Sequence, residues 1–330
     1  MRPFFLPFAF LFAFDVFSSN AEAQEPPAWF AESFLDIRED VADAAKEGKR
    51  LMLYFGQNGC PYCKQLMTTN FSQRTIVEKT RKNFVAVALN LWGDREVTWI
   101  DGRAMTEKEL ARLLKVQFTP TLLFFDEKGA VVVRLNGYYP PQRFEAVLDY
   151  VAARLERREP LADYLGRAVR EPASPRLHEE PFFLQPPYDL RRKKGDKPLA
   201  VIFETTDCSA CDELHREGFR RDEVLAQVKR IDVVRFALGA QTELTTPAGR
   251  KTRAETWARE LGVTYAPTVI FFDDEGSEVF RIEAYLRPFH FASSFAYVTS
   301  GEYRAEPSFQ RYLQKRAGEM RARGERVELW

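Results

Sequence analysis

The sequence predicts two tandem α/β domains, each a central mixed sheet flanked by helices. Three observations predict it. The chain repeats itself, each copy alternates short apolar runs with amphipathic stretches, and each copy carries a Cys-x-x-Cys pair just after an early apolar run. A length of 330 residues suits two domains of about 100–200 residues each.

The repeat holds its register over many positions. Leu51, Phe55, Cys60, Cys63, Leu66 and Phe71 recur 148 residues on as Leu199, Phe203, Cys208, Cys211, Leu214 and Phe219. Further along the shift is 147: Pro120-Thr121, Phe124-Phe125-Asp126, Gly129, Arg134 and Phe144 recur as Pro267-Thr268, Phe271-Phe272-Asp273, Gly276, Arg281 and Phe291. Two copies of more than about 100 residues indicate a duplicated domain, not a solenoid, whose units run 20–50 residues.

Within copy one the order of elements follows from apolar periodicity and turn residues. A helix is expected over 29–46 and a strand over Arg50–Gly56, with a helix from Cys60 to about Lys79 and a buried strand over 84–91. The stretch 92–105 reads as a loop. Thr106 with Glu109 forms a capping box for a helix to about Lys115. Strands over 121–126 and 130–135 meet at the turn Glu127-Lys128-Gly129, and Pro141 opens a closing helix. Copy two repeats this with strands over Leu199–Glu204, 231–238, 268–273 and 278–283, and helices from Cys208, near 254–261 and from Pro288. The expected domains are therefore 24–157 and 177–303. A proline-rich linker at 158–176 joins them, and a charged helical tail with a solvated surface follows at 304–330.

Residues 1–23 read as an export signal: Arg2, an apolar run from Phe4 to Phe14, and the small-x-small site Ala21-Glu22-Ala23. The run is shorter than the about 20 residues a membrane span needs, so a mature protein without a span is expected. Lys+Arg and Asp+Glu both number 48, for a formal net charge of zero. That balance supplies no field to draw in nucleic acid or anionic lipid.

The four cysteines, Cys60, Cys63, Cys208 and Cys211, carry the chemistry. A disulfide across so small a loop removes little chain entropy, so it is a weak staple and a good redox switch. The first cysteine of each pair begins a helix, where free N–H groups and the macrodipole favour a thiolate. Cys60 and Cys208 are thus the expected attacking thiols, and Cys63 and Cys211, one turn on, the resolving ones. Thr119-Pro120 and Ala266-Pro267 each precede a strand. A cis peptide there would turn backbone groups toward the sulfurs, so these four residues are the expected substrate-binding positions. Zinc would need both pairs brought together, and no cofactor or metal is called for. His178, His215 and His290 have no partners at catalytic spacing and read as surface or packing residues. Asp207 beside Cys208 should disfavour its thiolate unless turned to solvent.

This arrangement resembles the thioredoxin superfamily. More narrowly, it is similar to the SoxW-like thioredoxins encoded with bacterial sulfur-oxidation genes, through Cys60-Pro61-Tyr62-Cys63, Trp92-Gly93-Asp94-Arg95, Phe118-Thr119-Pro120-Thr121 and Gly137-Tyr138. Copy two keeps the cysteines of Cys208-Ser209-Ala210-Cys211 and Pro267, without a clear counterpart of Trp92-Gly93-Asp94. The resemblance implies two tandem thioredoxin-like domains and a periplasmic thiol–disulfide oxidoreductase, with disulfide-containing protein clients. It also implies a membrane electron donor of the DsbD/CcdA type. Reduction of clients is favoured over oxidation. The alternatives are a disulfide isomerase and a chaperone-like client-binding protein in which one pair is only structural. Two departures stand out: Gly59 and Asp207 replace the tryptophan ordinary thioredoxins carry before the first cysteine, and Tyr54 and Ile202 replace their buried aspartate.

Overall fold

A computed structural model describes residues 26–169, 173–283 and 286–327. The export signal expected at 1–23 lies outside these residues. Copy one runs α1 (Ile37–Lys46), β1 (Arg50–Gly56), α2 (Pro61–Gln65), α3 (Arg74–Asn83), β2 (Phe84–Asn90), β3 (Glu96–Thr98), β4 (Ala104–Thr106), α4 (Glu107–Leu113), β5 (Thr121–Phe125), β6 (Val131–Asn136), α5 (Pro141–Ala152) and α6 (Leu161–Ala168). Its sheet has the order β2-β1-β5-β6, with β1 and β2 parallel and the other neighbours antiparallel. Every residue of β1 is buried, as a strand covered on both faces requires. Its side chains alternate between two cores. Leu51, Leu53 and Phe55 join α1 and α4 on one face, and Met52 and Tyr54 join the side of α5 and α6 on the other.

Copy two runs β7 (Tyr188–Asp189), β8 (Leu199–Glu204), α7 (Ser209–Glu213), α8 (Asp222–Val228), β9 (Asp232–Ala237), β10 (Glu243–Thr245), β11 (Lys251–Arg253), α9 (Ala254–Glu260), β12 (Thr268–Phe272), β13 (Glu278–Ile282), α10 (Pro288–Thr299), α11 (Glu302–Ala305) and α12 (Phe309–Ala322). Its sheet repeats the first in the order β9-β8-β12-β13. The fold is thus two α/β domains, each a mixed sheet between helices.

Several expectations need correction. The first helix starts at Ile37, capped by Asp36, not near residue 29. Trp29 and Phe30 instead pack their rings on Phe71, and Ala31 N–H bonds the carbonyl of Ala86. The helix from Cys60 is interrupted: α2 passes into a π-helical turn, Leu66–Asn70, before α3. Copy two does the same at Leu214–Gly218. The stretch 92–105 holds the hairpin β3–β4, which recurs as β10–β11. Gly93 is explained by Glu107, whose buried carboxylate lies where a Cβ at 93 would stand and accepts from Asn90 N–H at 2.8 Å. Copy two has Ala254 in place of Glu107 and does without the glycine motif.

The linker and the tail also differ from expectation. Residues 161–168, expected as linker, form α6, whose Leu161 and Leu165 enter the core of copy one. The tail is not merely a solvated helix. Phe309, Tyr312, Leu313, Ala317 and Met320 of α12 enter the core of copy two. The two helices are counterparts. Tyr150 Oη donates to Glu159 O at 2.6 Å, and Tyr297 Oη, 147 residues on, donates to Glu306 O at 2.6 Å. Each repeat therefore carries its own closing helix.

The copies meet about an approximate two-fold. Asn136 and Glu283, the same repeat position, hydrogen-bond to one another through their side chains. Phe118 reaches Phe280 and Phe309 of copy two, with ring centroids at 5.7 and 5.5 Å. Its counterpart Tyr265 reaches back to Tyr139 of copy one at 5.2 Å. Contact between equivalent positions is the mark of an isologous arrangement.

Candidate active sites at the two cysteine pairs

Each pair is placed by the strand before it. β1 ends at Gly56, the chain turns, and Gly59 at φ +68° delivers Cys60 to the N-cap of α2. In copy two Asp207 holds the same left-handed conformation at φ +54°, which aspartate tolerates better than most residues with a Cβ. Its side chain is exposed to solvent.

Both pairs are disulfides with Cα atoms 5.2 Å apart. Cys60 Sγ accepts the N–H of Cys63 at 3.0 Å, and Cys208 Sγ that of Cys211 at 3.1 Å. When the bond opens, this N–H favours the thiolate on the first sulfur. Pro61 occupies the first helical turn, where a missing N–H leaves no bond unmade. The Thr119-Pro120 and Ala266-Pro267 peptides are cis. Thr119 O lies 3.4 Å from Cys60 Sγ, and Ala266 O lies 3.8 Å from Cys208 Sγ. All eight residues singled out in the sequence thus fall into two like constellations of four. In copy one Gln57 joins them, donating to Thr119 Oγ1 at 2.9 Å and accepting from Trp92 Nε1 at 2.6 Å.

Two of the histidines, His215 and His178, are more than packing residues, while His290 packs on the rings of Tyr62 and Phe289. His215, on the π-helical turn after Cys211, is buried between two buried carboxylates. Its Nδ1 lies 2.9 Å from Glu180 Oε1 and its Nε2 2.9 Å from Glu204 Oε1. Burial pulls its pKa down, but the ion pairs outweigh burial and hold it above the ordinary value. Arg220 donates to the second oxygen of Glu180 at 3.0 Å. His178 stacks on His215 and pairs with Asp212 at 2.6 Å. His290, at the start of α10, lies 3.4 Å from Tyr62 Oη in the first Cys-x-x-Cys, and burial lowers its pKa to about 4.

The network also revises one departure. A buried carboxylate does stand before Cys208: it is Glu204, two residues past Ile202 on the same face of β8. In copy one Gly56 takes that position, and the Tyr54 hydroxyl fills the space where a Cβ would be. Glu204 was detectable as a carboxylate closing an otherwise apolar strand. The distant Glu180 carried no such signal.

The family comparison matches both copies. Residues 37–152 and 190–299 each match the model of the family described as thioredoxin-like domain. No curated protein matches the chain. Among solved structures, a thioredoxin-fold protein from Helicobacter pylori is 25% identical, covering 39% of this chain and 80% of its own, with a TM-score of 0.33. A thioredoxin from Thermus thermophilus is 30% identical, covering 36% and 85%, with a TM-score of 0.30. The oxidised DsbD C-terminal domain of Neisseria meningitidis is 14% identical, covering 38% and 98%, with a TM-score of 0.28.

Proposed function

The chain belongs to the thioredoxin-like domain family, and from that premise we propose that it is a periplasmic thiol–disulfide oxidoreductase that reduces disulfides of exported protein clients. The observation that carries the chemistry is the placement of Cys60: a helix N-cap, its sulfur on the N–H of Cys63 and beside Thr119 O. In the reduced protein the Cys60 thiolate attacks a client disulfide. One client sulfur leaves as a thiolate, and Cys63 then attacks Cys60 Sγ, closing the intramolecular disulfide and freeing the second client thiol. Cys208 and Cys211 repeat the arrangement. The periplasmic setting rests on the export signal at residues 1–23. Soluble cytoplasmic reductants do not cross into that compartment, so electrons would come from a membrane donor of the DsbD/CcdA type.

A Cys63→Ser variant tests this reading. It should hold its client as a mixed disulfide on Cys60, identified by mass spectrometry; no adduct on Cys60, or on Cys208 in Cys211→Ser, would refute exchange. Redox titration then sets the direction. A potential near that of thioredoxin, about −270 mV, means reductase, and one near about −120 mV means oxidant. A second reading, disulfide isomerase, draws support from Cys60 and Ser209-Ala210 lining one cleft. It predicts faster reactivation of a scrambled-disulfide client by the wild type than by Cys208→Ser.

A further inference from the structure

A cleft of about 450 Å³ lies between the copies. Cys60, Tyr62 and Thr119 form one wall, and Ser209 and Ala210, the two residues inside the second cysteine pair, belong to the other. A residue on either side of the approximate two-fold contributes its ring: Phe118 and Tyr265 both border the cleft. Helix α12 adds the exposed Gln314, an amide that can pair with an extended backbone.

The cleft carries more positive charge than negative. Arg143, Arg287 and Arg321 line it against a single lining carboxylate, Glu213. Arg143 is engaged with the Tyr265 hydroxyl. Arg287 and Arg321 are exposed and make no salt bridge with any described residue. Arg287 lies within electrostatic reach of Glu213, the one lining carboxylate, so the rim of this redox site keeps an excess of cations suited to carboxylates that arrive with the substrate.

We propose that this inter-domain cleft selects the client, taking an extended cystine-bearing segment flanked by acidic residues, with its disulfide at Cys60 and its carboxylates on Arg287 and Arg321. The inference rests on the oxidoreductase reading above. Its electron balance is that of the exchange already written: the Cys60/Cys63 dithiol becomes a disulfide, the client disulfide becomes two thiols, and the two thiol protons pass to the client.

The test uses the full chain, reduced beforehand with a small dithiol that is then removed. Two synthetic cystine peptides of equal length are offered in single turnover, one with Glu and one with Lys beside the cysteines. Reduction of the acidic peptide should be faster by about tenfold at low ionic strength, as expected for two favourable exposed pairs against two repulsive ones. The ratio should fall toward one at about 0.5 M salt, where the Debye length is a few ångströms. Arg287→Glu with Arg321→Glu should invert the ratio, and the alanine pair should bring it near one. Arg81→Glu with Arg112→Glu, an equal charge change outside the cleft, should keep it. Equal rates for the two peptides, or a ratio indifferent to residues 287 and 321, would overturn the cleft proposal and leave the oxidoreductase reading standing. Reduction of neither peptide would overturn both.

Discussion

Burial acts on His290 and His215 alike, and their partners make the outcomes opposite. His290 faces a phenol and no carboxylate within bonding distance among the described residues, so burial wins and its pKa falls to about 4. The unfolded chain, with a histidine near about 6.5, then binds the proton more readily than the folded one. Stability from this group is present above about pH 6.5 and is lost as pH falls through about 4, amounting to about 3 kcal/mol. Urea unfolding of wild type and His290→Gln at pH 7 and pH 4.5 should show the variant losing less on acidification. Equal losses would mean that His290 is not buried neutral. For His215 the sign reverses. Its folded pKa is raised, so its contribution is present below about pH 6.5 and fades as pH rises through the folded value. Copy one carries Met67 at this position and Gly56 opposite. His215→Met alone should therefore cost about 3–5 kcal/mol, because it strands the buried Glu204 and leaves Glu180 with Arg220 as its remaining ion pair. Adding Glu204→Gln and Glu180→Gln should restore much of the loss, as read by the urea midpoint. One oxygen of Glu204 is buried without a partner even in the wild type, which makes this site sensitive to any further loss.

At the scale of elements, α12 shows how packing differs from composition. Phe309 is fully buried and its ring meets Phe118, Phe280, Tyr297 and Tyr312. Phe309→Ala should cost about 3–5 kcal/mol, measured by denaturant unfolding. A change below about 1 kcal/mol would return α12 to the role of a solvated tail. The stripe Phe309, Tyr312, Leu313, Ala317, Met320 has helical spacing and was legible, but Arg311, Lys315, Arg316, Glu319 and Arg321 on the other face dominated the reading. Strands were the most legible elements, because β1 and β8 are unbroken apolar runs bounded by turn residues. The cysteine pairs and the X-Pro positions were equally clear, since short motifs carry their own geometry. What escaped were features settled by distant contacts. Trp29 and Phe30 look helical in pattern, yet they are held extended by Phe71 and Ala86. The π-helical turns have no local signature in Leu66–Asn70. His215 gains its meaning only when Glu180, far off in the chain, folds onto it.

At the scale of the molecule, the approximate two-fold makes each copy part of the other's core. Phe118 belongs by sequence to copy one, two residues before the cis proline, but its ring lies in the aromatic cluster of copy two. Tyr265 does the reverse, lying in the core of copy one. Around them Gln117 accepts the N–H of Phe309 at 3.0 Å, and Gln310 donates to Gln117 O at 2.9 Å and accepts from Gln57 at 2.7 Å. Two domains that only shared a linker would unfold independently. Two that exchange core side chains should unfold together, since losing either leaves large apolar surface uncovered in the other. Unfolding of the full chain should therefore be a single transition, with fluorescence and far-UV dichroism coincident. Phe118→Ala should lower the stability of that single transition by about 3–5 kcal/mol, or split it in two with copy two melting first. The second outcome is informative in the same direction, because a side chain of copy one would then have destabilised copy two. Two transitions in the wild type, with only that of copy one moved by Phe118→Ala, would show instead that the copies fold as separate units. The same exchange sets the walls of the cleft. Phe118 and Tyr265 sit beside Thr119-Pro120 and Ala266-Pro267, so the contacts that fix the two domains against each other also fix the distance between the two cysteine pairs.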